Sequence, residues 1–161
     1  MEAPLVAAEI TVTKPEYNKD LRMFMHDVAM RESNNTPTAI NKRGYLGKYQ
    51  FHQRTLHQLG IFVSDETFLN DESLQDSAMV LLLKKNDASL RTLIKQYSGQ
   101  YYDGVYVTRS GILAGAHLVG IGGVQTFFNV AISPHPTQDS NGTTVQDYMT
   151  EFSGYKFKLY Q

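Results

Sequence analysis

The stretch that decides the fold of this chain is MFMHDVAMRES, residues 23–33. An apolar stripe with the spacing of a packed helix runs through it, formed by Leu21, Phe24, Met25 and Val28. Extended by one more turn, the same stripe reaches Glu32. A carboxylate at the end of a buried face is costly unless it is protonated or has a partner. Glu32 is therefore either a functional acid or a side chain that reaches water where the helix frays, at residues 34–37.

The composition is that of an ordinary globular domain. The 161 residues are 42% hydrophobic and 19% charged, with a formal net charge of −1. This balance argues against nucleic acid or an anionic membrane as the main partner, since both require a concentrated basic surface. No apolar run approaches the ~20 residues of a membrane span. The chain has no cysteine, which excludes disulfides and thiolate chemistry.

Hydrophobic periodicity predicts a mainly α domain over residues 17–161, after an extended leader at residues 1–16. The first helix is expected from about Asn18 to Glu32, and a long polar, irregular segment follows at residues 33–50. Further helices are expected near residues 53–59, 70–86, 90–97, 112–119, 124–130 and 145–152, with a break at the glycines of residues 120–123. Thr144 and Asp147 have the spacing of a capping box. At most a small β element is expected.

Several common kinds of catalytic site are not supported by the sequence. The glycine run at residues 120–123 has no strand before it and no Gly-Lys-Ser/Thr after it, so it is not a phosphate loop. No Gly-x-Ser-x-Gly elbow and no His-Glu-x-x-His pair is present. We therefore expect neither a metal nor a cofactor. A single acid among loops rich in amides and tyrosines instead suits a sugar polymer.

Three segments carry a family resemblance. The first is Glu32-Ser33 at the end of a helix. The second is GYLGKYQF, residues 44–51, which looks like the pattern Gly-x-x-Gly-Leu-Met-Gln-Ile with Tyr49 in place of Met. The third is AHLVGIGGV, residues 116–124, which looks like Ala-Tyr-Asn-Ala-Gly-Pro-Gly-x-Val with His117 and Leu118 in place of Tyr and Asn. In this order they resemble the lytic transglycosylase and goose-type lysozyme superfamily.

The resemblance implies a lysozyme-like (transglycosylase) helical domain that acts on the glycan strands of bacterial peptidoglycan. It makes Glu32 the catalytic residue. The residues that it assigns to substrate binding are Ser33, Gly47, Tyr49, Gln50 and His117. For three of these a purely structural role stays open: a polar helix end for Ser33, a core ring for Tyr49 and a satisfied core histidine for His117.

The number of carboxylates bears on the reaction. Cleavage of a glycosidic bond requires an acid that protonates the leaving oxygen, and a hydrolase usually adds a second carboxylate about 5–10 Å away. No Asp or Glu lies between Glu32 and Asp65, and Asp27 is on a different face of the helix. A lone acid can also act as the base that draws the sugar's 6-hydroxyl onto the anomeric carbon. We therefore expect a lytic transglycosylase that cleaves the MurNAc-GlcNAc β-1,4 bond and leaves a 1,6-anhydro product.

Two alternatives remain open. One is a hydrolytic muramidase of the same fold, and the other is a non-catalytic glycan-binding or structural module of a phage tail or secretion apparatus. The N-terminus has Glu2 where a signal peptide needs a basic region. We therefore expect a bacteriophage-type enzyme that is made in the cytoplasm and associated with the virion or delivered to the cell wall by a non-Sec route. Other virion or secretion-apparatus proteins are then its expected protein partners.

Overall fold

The computed structural model describes residues 20–160, so the expected leader at residues 1–16 lies outside the described part of the chain. The described part is mainly helical, which confirms the prediction of a mainly α domain. Its elements are α1 (Leu21–Ser33), α2 (Gln53–Gln58), α3 (Asp65–Leu69), α4 (Glu72–Ser89), α5 (Arg91–Tyr97), β1 (Tyr101–Tyr102), β2 (Val105–Tyr106), α6 (Arg109–Phe127) and α7 (Val145–Glu151). The two short strands pair antiparallel as a hairpin, which is the small β element that the sequence allowed.

Helix α6 lies at the centre of the fold, and its first half is buried on every side from residue 110 to residue 116. Small residues let α7 lie close against it. A Cβ atom at Gly111 would lie 2.7 Å from the carbonyl oxygen of Met149, and one at Gly115 would lie 2.8 Å from Cγ2 of Val145. This contact positions α7. Within residues 20–160, no helix combines the length and the apolar character that crossing a bilayer requires.

Helix α1 packs against the C-terminal segment. The ring of Phe24 is fully buried and contacts the rings of Phe152, Tyr155 and Phe157, with centroids 5.0–6.1 Å apart. Nearer the helix end, the side chain of Arg31 pairs with Glu151 at 3.1 Å. Aromatic packing of this kind contributes beyond the area that it buries. The end of α1, where Glu32 lies, is therefore held firmly against α7.

The segment between α1 and α2 is irregular, as predicted, but it is tightly anchored. The anchor is the amide of Gln75 on α4, which is fully buried. Its Oε1 accepts from the backbone N–H of Lys48 at 2.9 Å, and its Nε2 donates to the carbonyls of Pro37 (2.9 Å) and Phe68 (3.0 Å). A buried amide with every contact satisfied fixes the path of the backbone around it. The loop that carries Gly47 and Gln50 is thus tied to α4.

Some predicted helix boundaries are wrong. Helix α1 begins at Leu21, not near Asn18, because the carboxylate of Asp20 caps it by accepting from the N–H of Met23 at 2.9 Å. Helix α4 continues past Asn86 to Ser89. Asn86 is buried within the helix, and Asp87 pairs with Arg109 at 2.8 Å. These contacts accommodate both polar residues, so the helix does not end at them.

Two further features differ from the sequence interpretation. The short helix α3, which Ser64 caps through the N–H of Thr67, was not predicted. The glycine run at residues 120–123 interrupts α6 only at Gly120, where φ is +76°, and the helix resumes at once. The capping box of Thr144 and Asp147 at the start of α7 is confirmed, since both of its reciprocal hydrogen bonds form.

Candidate functional site

Glu32 lies in the last turn of α1, and that turn is well formed. Asn34 ends the helix in the left-handed conformation at φ 55°, and its N–H donates to the carbonyl of Met30 at 3.0 Å. The helix therefore does not fray before Glu32. The side chain of Glu32 is 17% exposed, so its carboxylate is mostly buried and still reaches a cavity.

The hydroxyl of Tyr148 on α7 donates a hydrogen bond to Oε1 of Glu32. Burial and the neighbouring charge of Glu32 raise the pKa of the Tyr148 hydroxyl well above its usual range, so it stays protonated and keeps donating. Within residues 20–160 no donor contacts the other oxygen, Oε2. The tyrosine thus fixes the orientation of the carboxyl group and leaves one oxygen available to a ligand.

His117, on the buried half of α6, comes close to the same carboxylate. Its Nε2 lies 3.9 Å from Oε1 of Glu32, and it donates to the carbonyl of Tyr49 at 2.8 Å. The imidazole side chain is only 6% exposed, and its Nδ1 is buried with no hydrogen-bond partner in the described part of the chain. The histidine therefore links α6 to the loop of Tyr49 and forms one wall beside the acid.

The cavity in front of Glu32 encloses about 520 Å³. Its wall offers amides, a phenol ring, a hydroxyl, two cations and a second carboxylate. The lining residues are Glu32, Asn41, Lys42, Arg43, Tyr45, Gln50, His117, Leu118, Asp139, Ser140 and Asn141. Hydrogen-bonding groups of this variety suit a ligand that has many hydroxyl and amide groups.

Of the predicted substrate-binding residues, Gln50 and His117 line the cavity together with Glu32. Gln50 is held at φ 57°, and its Nε2 donates to the carbonyl of Gly47 at 2.9 Å. Gly47 lies behind it at φ +77°, where a Cβ atom would be 2.5 Å from Oε1 of Gln75. Gly47 therefore shapes the loop from the inside and does not line the cavity.

Ser33 and Tyr49 also stand behind the cavity wall. The hydroxyl of Ser33 donates to the carbonyl of Lys48 at 2.8 Å and accepts from the N–H of Thr36 at 2.9 Å, which ties the loop to the end of α1. Tyr49 is buried, and its hydroxyl donates to Asp76 at 2.6 Å. The structure thus places both side chains as supports for the loop, and only the backbone carbonyl of Tyr49 contacts His117.

Two residues at the site were not identified from the sequence. Tyr148 falls within the helix predicted near residues 145–152, and the signal that could have found it is that a buried tyrosine hydroxyl normally needs a partner. Asp139 lines the cavity from the loop before α7. Its Oδ1 accepts from the N–H groups of Asn141 (2.9 Å) and Thr143 (2.8 Å), the pattern of an Asx turn. No local pattern links either residue to Glu32.

No group of three or more His, Asp or Glu side chains within residues 20–160 has the geometry of a metal site. The site itself combines a carboxyl group held by Tyr148 with hydrogen-bonding groups in the cavity wall. Comparison with known proteins adds no assignment, because no family model matches the sequence and no curated protein or solved structure matches the chain.

Proposed function

We propose that this protein is a lysozyme-like peptidoglycan lytic transglycosylase that cleaves the MurNAc-GlcNAc β-1,4 glycosidic bond. The observation that carries the proposal is the position of Glu32. Its largely buried carboxyl group faces a cavity of about 520 Å³ that is also lined by Gln50 and His117. The three residues belong to the three segments on which the family resemblance rests.

The contacts of Glu32 suit an acid that later acts as a base. Tyr148 holds Oε1, so the proton needed by the leaving glycosidic oxygen is delivered from Oε2. The C1–O bond breaks as that proton moves, and Glu32 becomes a carboxylate. It then takes the proton of the C6 hydroxyl as O6 bonds to C1. The product is a 1,6-anhydro sugar, no water is consumed, and Glu32 is protonated again.

The wall of the cavity suits the sugar rings. Tyr45 lines the cavity and is 38% exposed, so part of its ring can pack against a pyranose. Gln50 and Asn41 supply amides for hydroxyl and N-acetyl groups. Leu118 forms an apolar part of the wall where the resemblance has an Asn, so it makes no hydrogen bond to an acetamido group.

The decisive variant is Glu32→Gln, which keeps the shape of the side chain and removes its acid. We expect it to abolish the release of soluble fragments from purified sacculi while leaving binding to sacculi intact. Glu66→Gln, on the exposed face of α3, is the matched control and should keep full activity. If Glu32→Gln solubilises sacculi as fast as the unaltered protein, Glu32 is not the acid. If neither form does so but both bind, a non-catalytic glycan-binding module is supported.

A hydrolytic muramidase is a second candidate, and one observation favours it. Asp139 places a second carboxylate in the wall of the cavity that Glu32 faces. A second carboxylate is what a hydrolase uses to activate water or to form a glycosyl intermediate. Asp139→Asn keeps the oxygen that accepts from Asn141 and Thr143 and removes the charge. A muramidase would lose its activity in this variant, whereas a transglycosylase would keep it.

We also propose a setting for this activity. A bacteriophage virion, or another machine that brings the protein to the cell wall, would supply its protein partners. Immunodetection of the chain in purified particles tests this directly.

A further inference from the structure

The loop between α6 and α7 carries the most exposed large hydrophobic side chain within residues 20–160. Ile132 is 107% exposed, so nothing in this part of the protein covers it, and Val130 in the same loop is 51% exposed. We call residues 130–134, Val-Ala-Ile-Ser-Pro, the tip. Single exposed apolar residues are common on protein surfaces, but two of them on one projecting loop form a local apolar surface.

The tip also lies in a stretch of sequence that has no charge. Residues 110–138 contain no Asp, Glu, Lys or Arg. Phe62, which has the next highest exposure at 73%, differs in both respects: its ring stacks on His57, and Asp65 and Glu66 follow it closely. The tip therefore presents apolar side chains to the solvent without charged neighbours in the sequence.

Both ends of the tip are held by the last turns of α6. At its start, the N–H of Val130 donates to the carbonyl of Gln125 at 2.9 Å. After its end, the N–H of His135 donates to the hydroxyl of Thr126 at 2.9 Å, and that hydroxyl donates to the carbonyl of Gly122 at 2.8 Å. A Cβ atom at Gly122 would lie 2.5 Å from the ring of His135, so the chain packs closely there. The tip thus projects from a fixed base.

Aromatic rings support this base. Phe128, just before the tip, is buried, and its ring stacks on Tyr97 with centroids 4.5 Å apart and contacts Tyr102 at 4.9 Å. The ring of Tyr102 also contacts Phe127 at 5.3 Å. Both tyrosines are partly exposed. Tyrosine combines an apolar ring with a polar hydroxyl, and it is enriched where proteins meet the boundary between lipid and water.

The shape and chemistry of the tip favour a lipid surface over other partners. A stable protein–protein interface buries roughly 800 Å² on each partner, and a single projecting loop of five residues offers less than that by itself. Ser133 has the one hydrogen-bonding side chain of the tip, which therefore does not suit a glycan. A bilayer surrounds a projecting loop, and its headgroup boundary covers apolar side chains to a depth of about 5–10 Å.

We propose that the tip inserts into the headgroup boundary of a lipid bilayer, so that the protein binds membrane surfaces through Val130 and Ile132. This inference goes beyond the proposed function and does not depend on it. The net charge of −1 argues against an anionic membrane held by basic residues. Insertion of an uncharged tip needs no such residues, and it should be insensitive to salt.

A tryptophan at the tip tests the insertion, since the chain has none of its own. With phosphatidylcholine vesicles in large excess, the emission of Ile132→Trp should shift to shorter wavelength and be quenched by lipids brominated on the acyl chain. Met23→Trp is the control, because Met23 is 49% exposed on α1, beside the start of α6 and not its end. There the ring of Phe24 packs on Phe157, whose carbonyl accepts from Arg109. The emission of this control should not change.

Co-flotation with the same vesicles tests the chain without a reporter. Burial of one Val or Ile side chain contributes about 1.5–3 kcal/mol, which corresponds to about tenfold or more in affinity. Val130→Ser/Ile132→Ser should therefore bind the vesicles about tenfold or more weakly than the unaltered protein. Met23→Ser/Met30→Ser removes two exposed apolar side chains from α1 and should bind like the unaltered protein.

Three results would overturn the inference. They are an emission of Ile132→Trp that vesicles leave unchanged, an equal shift in Met23→Trp, and a shift of Ile132→Trp that depends on protein concentration without lipid. The last result would assign the tip to a second copy of the chain. Cleavage of sacculi is not a readout of either experiment, so failure of the proposed function and failure of this inference are distinguishable.

Discussion

The hydroxyl of Tyr148 donates a hydrogen bond to the carboxylate of Glu32 across 116 residues of sequence. This contact joins α1 to α7 at the mouth of the cavity. The close packing of α7 on Gly111 and Gly115 of α6 brings the tyrosine there. The orientation of the proposed acid thus depends on the packing of three helices.

Replacing Tyr148 with Phe removes only this hydroxyl. A hydrogen bond to a charged group contributes about 1.5–3 kcal/mol, so we expect kcat on sacculi to fall about tenfold or more. Because Tyr148 does not line the cavity, KM should change little. Tyr155→Phe is the matched control, since its hydroxyl donates to Asp27 of α1 away from the cavity. Equal losses of kcat in the two variants would show that Tyr148 acts on stability alone.

Replacing Gln75 with Leu should destabilise the fold strongly. The change leaves the N–H of Lys48 and the carbonyl of Pro37 without a hydrogen-bond partner in the protein interior, whereas the carbonyl of Phe68 still accepts from the N–H of Asp71 at 3.2 Å. We expect a loss of about 3 kcal/mol in the free energy of unfolding, measured by urea denaturation. Gln96→Leu, on the exposed side of α5, should change it by less than about 0.5 kcal/mol. A small effect at Gln75 would mean that the loop is not anchored there.

The paired variants Gly47→Ala and Gly44→Ala separate backbone strain from crowding. Both glycines have positive φ, so each alanine costs about 1–2 kcal/mol. At Gly44 a Cβ atom meets nothing within 4 Å, whereas at Gly47 it lies 2.5 Å from Oε1 of Gln75. We expect Gly47→Ala to cost about 1–3 kcal/mol more than Gly44→Ala in thermal or urea unfolding. Equal costs would show that Gln75 can move aside without loss.

The stability of the fold should decrease at alkaline pH. Burial and hydrogen bonds to carboxylates raise the pKa of Tyr49, Tyr148 and Tyr155 above the ordinary tyrosine value of 10.0. When the pKa of the folded state exceeds that of the unfolded state, the stabilisation is fully present below the unfolded pKa and is lost as the pH rises above it.

Tyrosinate absorbance and far-UV circular dichroism, recorded together as the pH is raised past 10, test this expectation. These three tyrosines should ionise only as the helical signal is lost. The tyrosinate absorbance change that accompanies this loss of helix should be smaller in Tyr148→Phe, because one of the three tyrosines is missing. Ionisation of all three near pH 10 with the helices intact would contradict it.

The sequence predicted those elements whose residue pattern lies within one short segment of the chain. The apolar stripe of α1 continues to Glu32 as expected, and the capping box of Thr144 and Asp147 starts α7. Gln50 and His117 were placed near Glu32 only through the family resemblance, and the cavity does bring the three side chains together.

Other features of the site depend on contacts between distant parts of the chain. Tyr148 reaches Glu32 only because α6 has glycines where α7 crosses it, and Gln75 anchors a loop that precedes it by more than twenty residues. Spacing within a segment carries no information about such pairs. For the same reason the sequence does not show that the hydroxyl of Ser33 bonds to the carbonyl of Lys48 and that of Tyr49 to Asp76, behind the wall of the cavity.

The mass of the fragments released from purified sacculi tests the central claim most directly. If Glu32 acts alone as acid and then base, the fragments end in anhydro-muramic acid, each lighter by one water than a reducing end, and the Glu32→Gln protein releases none. Fragments with reducing ends only, or continued release by the Glu32→Gln protein, would contradict the account.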